Sequence, residues 1–188
     1  MTTSNRHRWG RTALGVAAVS FYAVHAGQYL LRRQPENVLW ICHLGALGVG
    51  VGLLLRQANI VAVGTLWLLV GLPLWLTDLR SGGEFIPTSL LTHVGGLVAG
   101  LVGLRQLGLP RGLWWKAVAA SVPVLIVSRL LTPPSANINL SHRVHPGSES
   151  LFPSHPLYIA TLLGVLAVAG LAVPAVLRRL GFKAPETP

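Results

Sequence analysis

The sequence predicts an all-α, polytopic membrane protein, a single domain over residues 1–188 arranged as a bundle of six transmembrane helices. Three observations predict it. Apolar residues make up 52% of the chain and charged ones only 11%, less than half the roughly 25% of a soluble domain. The mean hydropathy is +0.58. The apolar residues also come in runs close to the roughly 20 needed to cross a hydrocarbon core about 30 Å thick.

The runs follow in order. Thr12–Leu31 comes after a basic stretch and lacks a clear small-residue cleavage site, so it reads as a span and not as a cleaved leader. RRQPEN turns the chain into Val38–Leu55, which holds the single cysteine, Cys42, and a GxxxG pair, Gly48 and Gly52. RQAN leads to Asn59–Thr77, and DLRSGGEFIP to Thr88–Leu104, with a second pair at Gly96 and Gly100. In lipid such small residues let helix backbones approach closely. RQLGLPRG precedes Leu113–Leu131. The last span, Leu157–Leu177, begins at PSHP, where Ser154 or His155 caps and Pro156 fits the first turn. The loop between these two, Thr132–Pro156, is too long and polar to be mere linkage.

The net charge of +10 is spread singly or in pairs between apolar runs. That distribution belongs to membrane-flanking anchors and argues for membrane lipids as partners, not nucleic acid. With six spans, the side bearing both termini holds ten of the fifteen Lys and Arg residues. The excess places the termini in the cytoplasm and the long loop outside. Thirteen arginines against two lysines hint at a GC-rich bacterial genome, and the expected location is a bacterial plasma membrane. A single cysteine excludes an internal disulfide.

At 1.5 Å of rise per residue, Cys42 and His43 lie about 6–8 Å inside the outer end of their span. By the same measure His93 lies about 8 Å deep and His25 about 9 Å. Thr77 and Asp78 close the third span at this face, and Arg129 stands near the outer end of the fifth. Polar groups in a membrane are costly and face a bundle interior or cavity. His93 shares a helix face with Gly96 and Gly100, and Cys42 with Gly45 and Ala46. An outward-opening polar chamber is the economical expectation. A buried cysteine is often only a small hydrophobe. As a nucleophile it needs a base, and His93 at matching depth supplies one, a Cys–His dyad of the acyl-transfer type. His43 is less suited, because neighbours on a helix point about 100° apart. The loop histidines His142, His145 and His155 include an HxxH spacing, but the surrounding prolines and glycine argue against a helical metal motif.

Four stretches, LWICHLGALGVGVGLLLRQ, GTLWLLVGLPLWLTDL, FIPTSLLTHVGGLVAGL and NINLSHRVHPGSESLFPSHPLYIA, carry a resemblance in their order. The chain resembles the YwaF-type integral membrane proteins of bacteria, relatives of a eukaryotic transmembrane acyltransferase that remodels ether phospholipids. The resemblance covers about Val38 to Tyr158 and implies a six-span bundle. It also implies a cysteine nucleophile assisted by a histidine, which by position are Cys42 and His93. Two departures stand out: His43 follows the cysteine where a polar residue is usual, and Leu76-Thr77-Asp78 lacks the family's proline.

The expectation is therefore an intramembrane acyltransferase or lipid hydrolase needing no cofactor and no metal. Cys42 attacks an acyl ester, and His93 is base and then acid. Asn137 or Asn139 positions the headgroup, and Arg129 or Arg143 holds a phosphate. His25, His43, Thr77 and Asp78 support the site. A second class is haem or metal binding by His25, His43 and His93 with Cys42 as a soft ligand. A third is a non-enzymatic membrane subunit or small transporter.

Overall fold

The computed structural model describes residues 3–80 and 82–184, with side chains described from Trp9 onward. Six principal helices follow one another: α1, Thr3–Leu31; α2, Ile41–Leu55; α3, Ala58–Arg80; α4, Pro87–Leu107; α5, Leu113–Leu131; and α6, His155–Arg179. Five of them are long and apolar enough to cross a membrane. The exception is α2, whose 15 residues span only about 22 Å. Among the described residues there is no strand. The protein is an all-helical, multi-pass membrane protein.

The shortness of α2 corrects the expected start at Val38. Pro35 fixes its own φ and opens a 3₁₀ turn, Pro35–Leu39. Trp40 is then extended (φ −56°, ψ 131°), so helical geometry begins only at Ile41. Cys42 thus stands in the first turn of α2 and not a full turn inside it. The other boundaries move outward by one to three residues, apart from α5, which matches, and α1, which begins earlier at Thr3.

α2 is the centre of the bundle, packed against α1, α3 and α4. α5 and α6 pair with each other and rest on α3. The tightest approaches use glycine, and three members of the expected pairs share in them. A Cβ on Gly100 would collide with Thr65 Oγ1, one on Gly52 would stand 2.8 Å from the Val61 amide nitrogen, and one on Gly96 3.0 Å from the Ala46 Cβ. A Cβ on Gly64 would stand 2.5 Å from the Gly45 carbonyl oxygen, whereas one on Gly48 would find nothing nearer than 3.9 Å. Gly64→Ala must therefore part α2 from α3 and costs about 1–3 kcal/mol, while Gly48→Ala is tolerated. The midpoints of SDS-driven unfolding in mixed micelles test the contrast, and equal midpoints would refute it. Farther along α3, Trp67 Nε1 donates to Ser121 Oγ at 2.9 Å, fastening α3 to α5.

The long loop between α5 and α6 is ordered by its asparagines. Asn137 (φ 45°) and Asn139 (φ 54°) take the left-handed conformation that Asn tolerates better than most residues. Asn137 Oδ1 accepts from the amides of His142 and Arg143, both at 3.0 Å. Asn139 Oδ1 accepts from the Ile41 amide at 2.7 Å, while its Nδ2 donates to the Leu39 carbonyl and to Ser128 Oγ, both at 2.8 Å. One buried side chain thereby holds the start of α2 against α5.

Candidate functional site

Three helices converge on one polar cluster. α2 brings Cys42 and His43, α4 brings His93, and α1 brings His25. The Cys42 sulfur and one ring nitrogen each of His43 and His93 lie within 4.8 Å of one another. His25 Nε2 lies 3.2 Å from His43 Nε2. All three histidines are buried, and Cys42 is partly buried.

Ring orientation follows from what each Nδ1 touches. His43 Nδ1 lies 2.9 Å from the Asn37 carbonyl oxygen, and His93 Nδ1 lies 2.9 Å from the Ser89 carbonyl oxygen. A carbonyl only accepts, so in each neutral ring Nδ1 carries the proton and Nε2 the lone pair. His25 Nε2–H then donates to His43 Nε2, and His25 Nδ1 accepts from the Thr88 hydroxyl at 2.8 Å. His93 Nε2 is different: it is buried and, among the described residues, has no hydrogen-bond partner. A buried lone pair of this kind is uncommon.

The backbone explains the placement of His93. Pro87 starts α4, and Leu91–Gly95 forms a wide π turn before regular helix resumes at Gly96. Such turns recur at functional sites because they re-aim side chains within a helix. From α3, the Trp75 ring stacks on His93 with centroids 4.6 Å apart and planes 10° apart. Tyr29 packs edge-on to His25 at 4.8 Å. Gly71 makes room for the cysteine, since a Cβ there would meet Cys42 Cβ at 2.9 Å.

Cys42 is the second residue of α2, where amides have no intrahelical acceptor. The Ile41 amide is taken by Asn139. The amides of Cys42 and His43 lie in the same first turn, likewise without intrahelical acceptors. A developing negative charge beside Cys42 therefore meets backbone N–H groups and the positive end of a helix.

The remaining expected residues fall elsewhere. Thr77 and Asp78 are exposed; the Thr77 hydroxyl donates to the Pro73 carbonyl at 2.9 Å, and Asp78 borders the turn at Gly83. Neither joins the cluster. Asn137 and Asn139 are committed to hydrogen bonds within the protein, Asn137 inside the loop and Asn139 across to α2 and α5, so the structure gives them a bracing part. Arg143 Nη2 donates to the Ser135 carbonyl at 3.3 Å. In the loop, His145 Nδ1 lies on the Pro146 carbonyl oxygen and His155 Nε2 on that of Leu140, while His142 Nε2 is buried without a hydrogen-bond partner among the described residues. Arg129 Nη1 donates to the Ser141 carbonyl at 2.6 Å. Arg129 and His155 stand at the loop end of a groove of about 450 Å³ between α5 and α6, otherwise lined mainly by Leu125, Ile126, Ile159 and Leu163.

Sequence reasoning did not reach Trp75, Gly71, Ser89, Thr88, Asn37 or Tyr29. A faint signal exists for Trp75, which lies two residues after Pro73 in a segment already singled out. The carbonyls of Asn37 and Ser89 have no signature at all, because every residue has one.

Fold and cluster together define a class: a helical membrane protein with a thiol and three imidazoles gathered in its interior. Comparison with family models, with curated proteins and with solved structures finds no match to this chain.

Proposed function

We propose that the protein is an intramembrane cysteine enzyme that transfers or hydrolyses the acyl group of a lipid ester. The observation that carries this reading is the partnerless Nε2 of His93, on a ring whose nitrogen stands within 4.8 Å of Cys42 Sγ. Its Nδ1 is held by the Ser89 carbonyl, so Nε2 is the atom free to take a proton.

The steps balance as follows. The Cys42 thiol gives its proton to His93 Nε2 as the sulfur attacks the ester carbonyl. The oxyanion is received by the amides of Cys42 and His43. The tetrahedral adduct collapses, the C–O bond breaks, and His93 returns the proton to the departing alcohol, leaving a thioester on Cys42. An acceptor alcohol or water then gives its proton to His93, attacks the thioester, and releases the thiol. The π-stacked Trp75 and the Ser89 carbonyl keep the imidazole in one tautomer and one plane throughout.

A lipid substrate suits the setting. The groove between α5 and α6 is mostly apolar, and among the described residues no carboxylate pairs with Arg129, leaving its charge for a phosphate. Charge distribution argues for a bacterial plasma membrane with both termini cytoplasmic, which puts Cys42 toward the outer leaflet. The resemblance to the YwaF-type proteins and their acyltransferase relative points the same way.

The test is direct. Purified protein in nanodiscs containing ester phospholipids is expected to yield a Cys42 peptide heavier by one acyl chain and returned to its original mass by hydroxylamine. Folded protein that forms no such adduct and releases no acyl group from any ester phospholipid offered refutes the reading.

A further inference from the structure

We infer that the same cluster is a site for one soft or borderline transition-metal ion of the zinc class, held by Cys42 Sγ and by Nε2 of His25, His43 and His93. The first ground is orientation. Each of the three rings has Nδ1 on an oxygen, from Thr88, Asn37 and Ser89 respectively. That is the outer-shell arrangement that aims an imidazole's other nitrogen at a metal.

The second ground is distance. On one tetrahedral ion with metal–nitrogen bonds of about 2.0–2.1 Å and a metal–sulfur bond of about 2.3 Å, ligand atoms stand roughly 3.3–3.6 Å apart. His25 and His43 already have Nε2 atoms at 3.2 Å, and Cys42 Sγ lies within 4.8 Å of one ring nitrogen each of His43 and His93. For the Cys42, His43 and His93 atoms the closing movement is on the order of 1 Å, and His25 joins them through its contact with His43. The third ground is the buried, partnerless His93 Nε2, a lone pair that a cation would satisfy.

His25 completes the set. It now donates to the His43 lone pair, so His43 can bind an ion only if His25 gives up that bond. Binding moves the His25 proton from Nε2 to Nδ1, and the Thr88 hydroxyl turns from donor to acceptor. The Cys42 thiol loses its proton to water, so one proton is released per ion. One sulfur, three imidazoles and no carboxylate select zinc-class ions over magnesium or calcium. An ion on Sγ and on the His93 lone pair removes both nucleophile and base. This consequence, a reversible metal block, rests on the acyl-transfer reading; the binding site itself does not.

Chelator-stripped protein titrated with Zn²⁺ against a chromophoric competitor is expected to bind one equivalent, release one proton, and ignore Mg²⁺. Cys42→Ser, which keeps the side-chain shape, and His43→Ala each weaken binding at least roughly tenfold. Zn²⁺ also slows iodoacetamide alkylation of Cys42, the chain's single cysteine, and a chelator restores the rate. No uptake by the wild-type protein, or equal affinity in Cys42→Ser, overturns the site. Protein that binds zinc but never forms an acyl adduct keeps the site and loses the reaction. Protein that forms the adduct but takes up no zinc loses the site alone.

Discussion

Cys42→Ala is expected to lower acyl turnover by about 10³–10⁶-fold, and His93→Ala by about 10²–10⁴-fold. The first value reflects loss of the covalent route, leaving only what the α2 amides and lipid binding contribute. The second reflects loss of the group that takes the thiol proton and returns it to the leaving alcohol. Because the two residues act as a unit, the double variant is expected to be no slower than Cys42→Ala alone. Single-turnover acylation, read by intact mass, separates the chemical step from lipid exchange.

A fold-only role for His93 would also reduce activity, since its ring fills space against Trp75. Two further readings distinguish the cases. Added imidazole is expected to restore part of the His93→Ala rate, because the vacated space admits a small base. The unfolding midpoint of His93→Gln, which keeps bulk and polarity, is expected to stay near wild type while acylation remains slow. Acylation of folded His93→Ala within about threefold of the wild-type rate would leave the base unassigned and refute the dyad, since general-base removal costs at least about 10²-fold.

How much of this was legible in the sequence depends on the range of the signal. Hydropathy summed over some twenty residues is collective, so six helical segments emerge despite local errors. Their ends are decided by single residues: Pro35 and the extended Trp40 shorten α2 to Ile41, which no hydropathy window registers. Depth reasoning could group Cys42, His43, His93 and His25, because rise per residue is fixed once a helix is recognised. It could not tell which ring nitrogen faces inward. That depends on the carbonyls of Asn37 and Ser89, one in a 3₁₀ turn and one beside a π turn. Depth alone also drew in Thr77 and Asp78, which are exposed where the thiol and imidazoles are buried or half-buried. The GxxxG spacing found Gly52, Gly96 and Gly100, each at a tight helix contact, but it took in the open Gly48 and missed Gly45 and Gly64. Contact across helices depends on the register of both partners, and one spacing describes only one of them.

Asn139 shows the same limit with the largest structural consequence. Asn139→Ala is expected to destabilise the fold by about 3–5 kcal/mol. Three hydrogen bonds vanish together, those with the Ile41 amide, the Leu39 carbonyl and Ser128 Oγ, at about 0.5–1.5 kcal/mol each. Alanine must also hold the left-handed φ of 54°, which costs roughly 1–2 kcal/mol more. The loss has a direction. The Ile41 amide precedes Cys42 by one residue, so a frayed α2 start moves the sulfur away from His93 and loosens the amides that receive the oxyanion. Iodoacetamide should then reach Cys42 faster while acyl transfer slows, a divergence that simple loss of the nucleophile does not produce. Asn137→Ala is the control: its bonds close within the loop, on His142 and Arg143, so it weakens the fold without altering Cys42 alkylation. The brace is refuted if Asn139→Ala unfolds at the wild-type SDS midpoint and alkylates at the wild-type rate. Coupling of this kind makes the long loop, 98 residues away in sequence from Ile41, part of the machinery that presents the thiol.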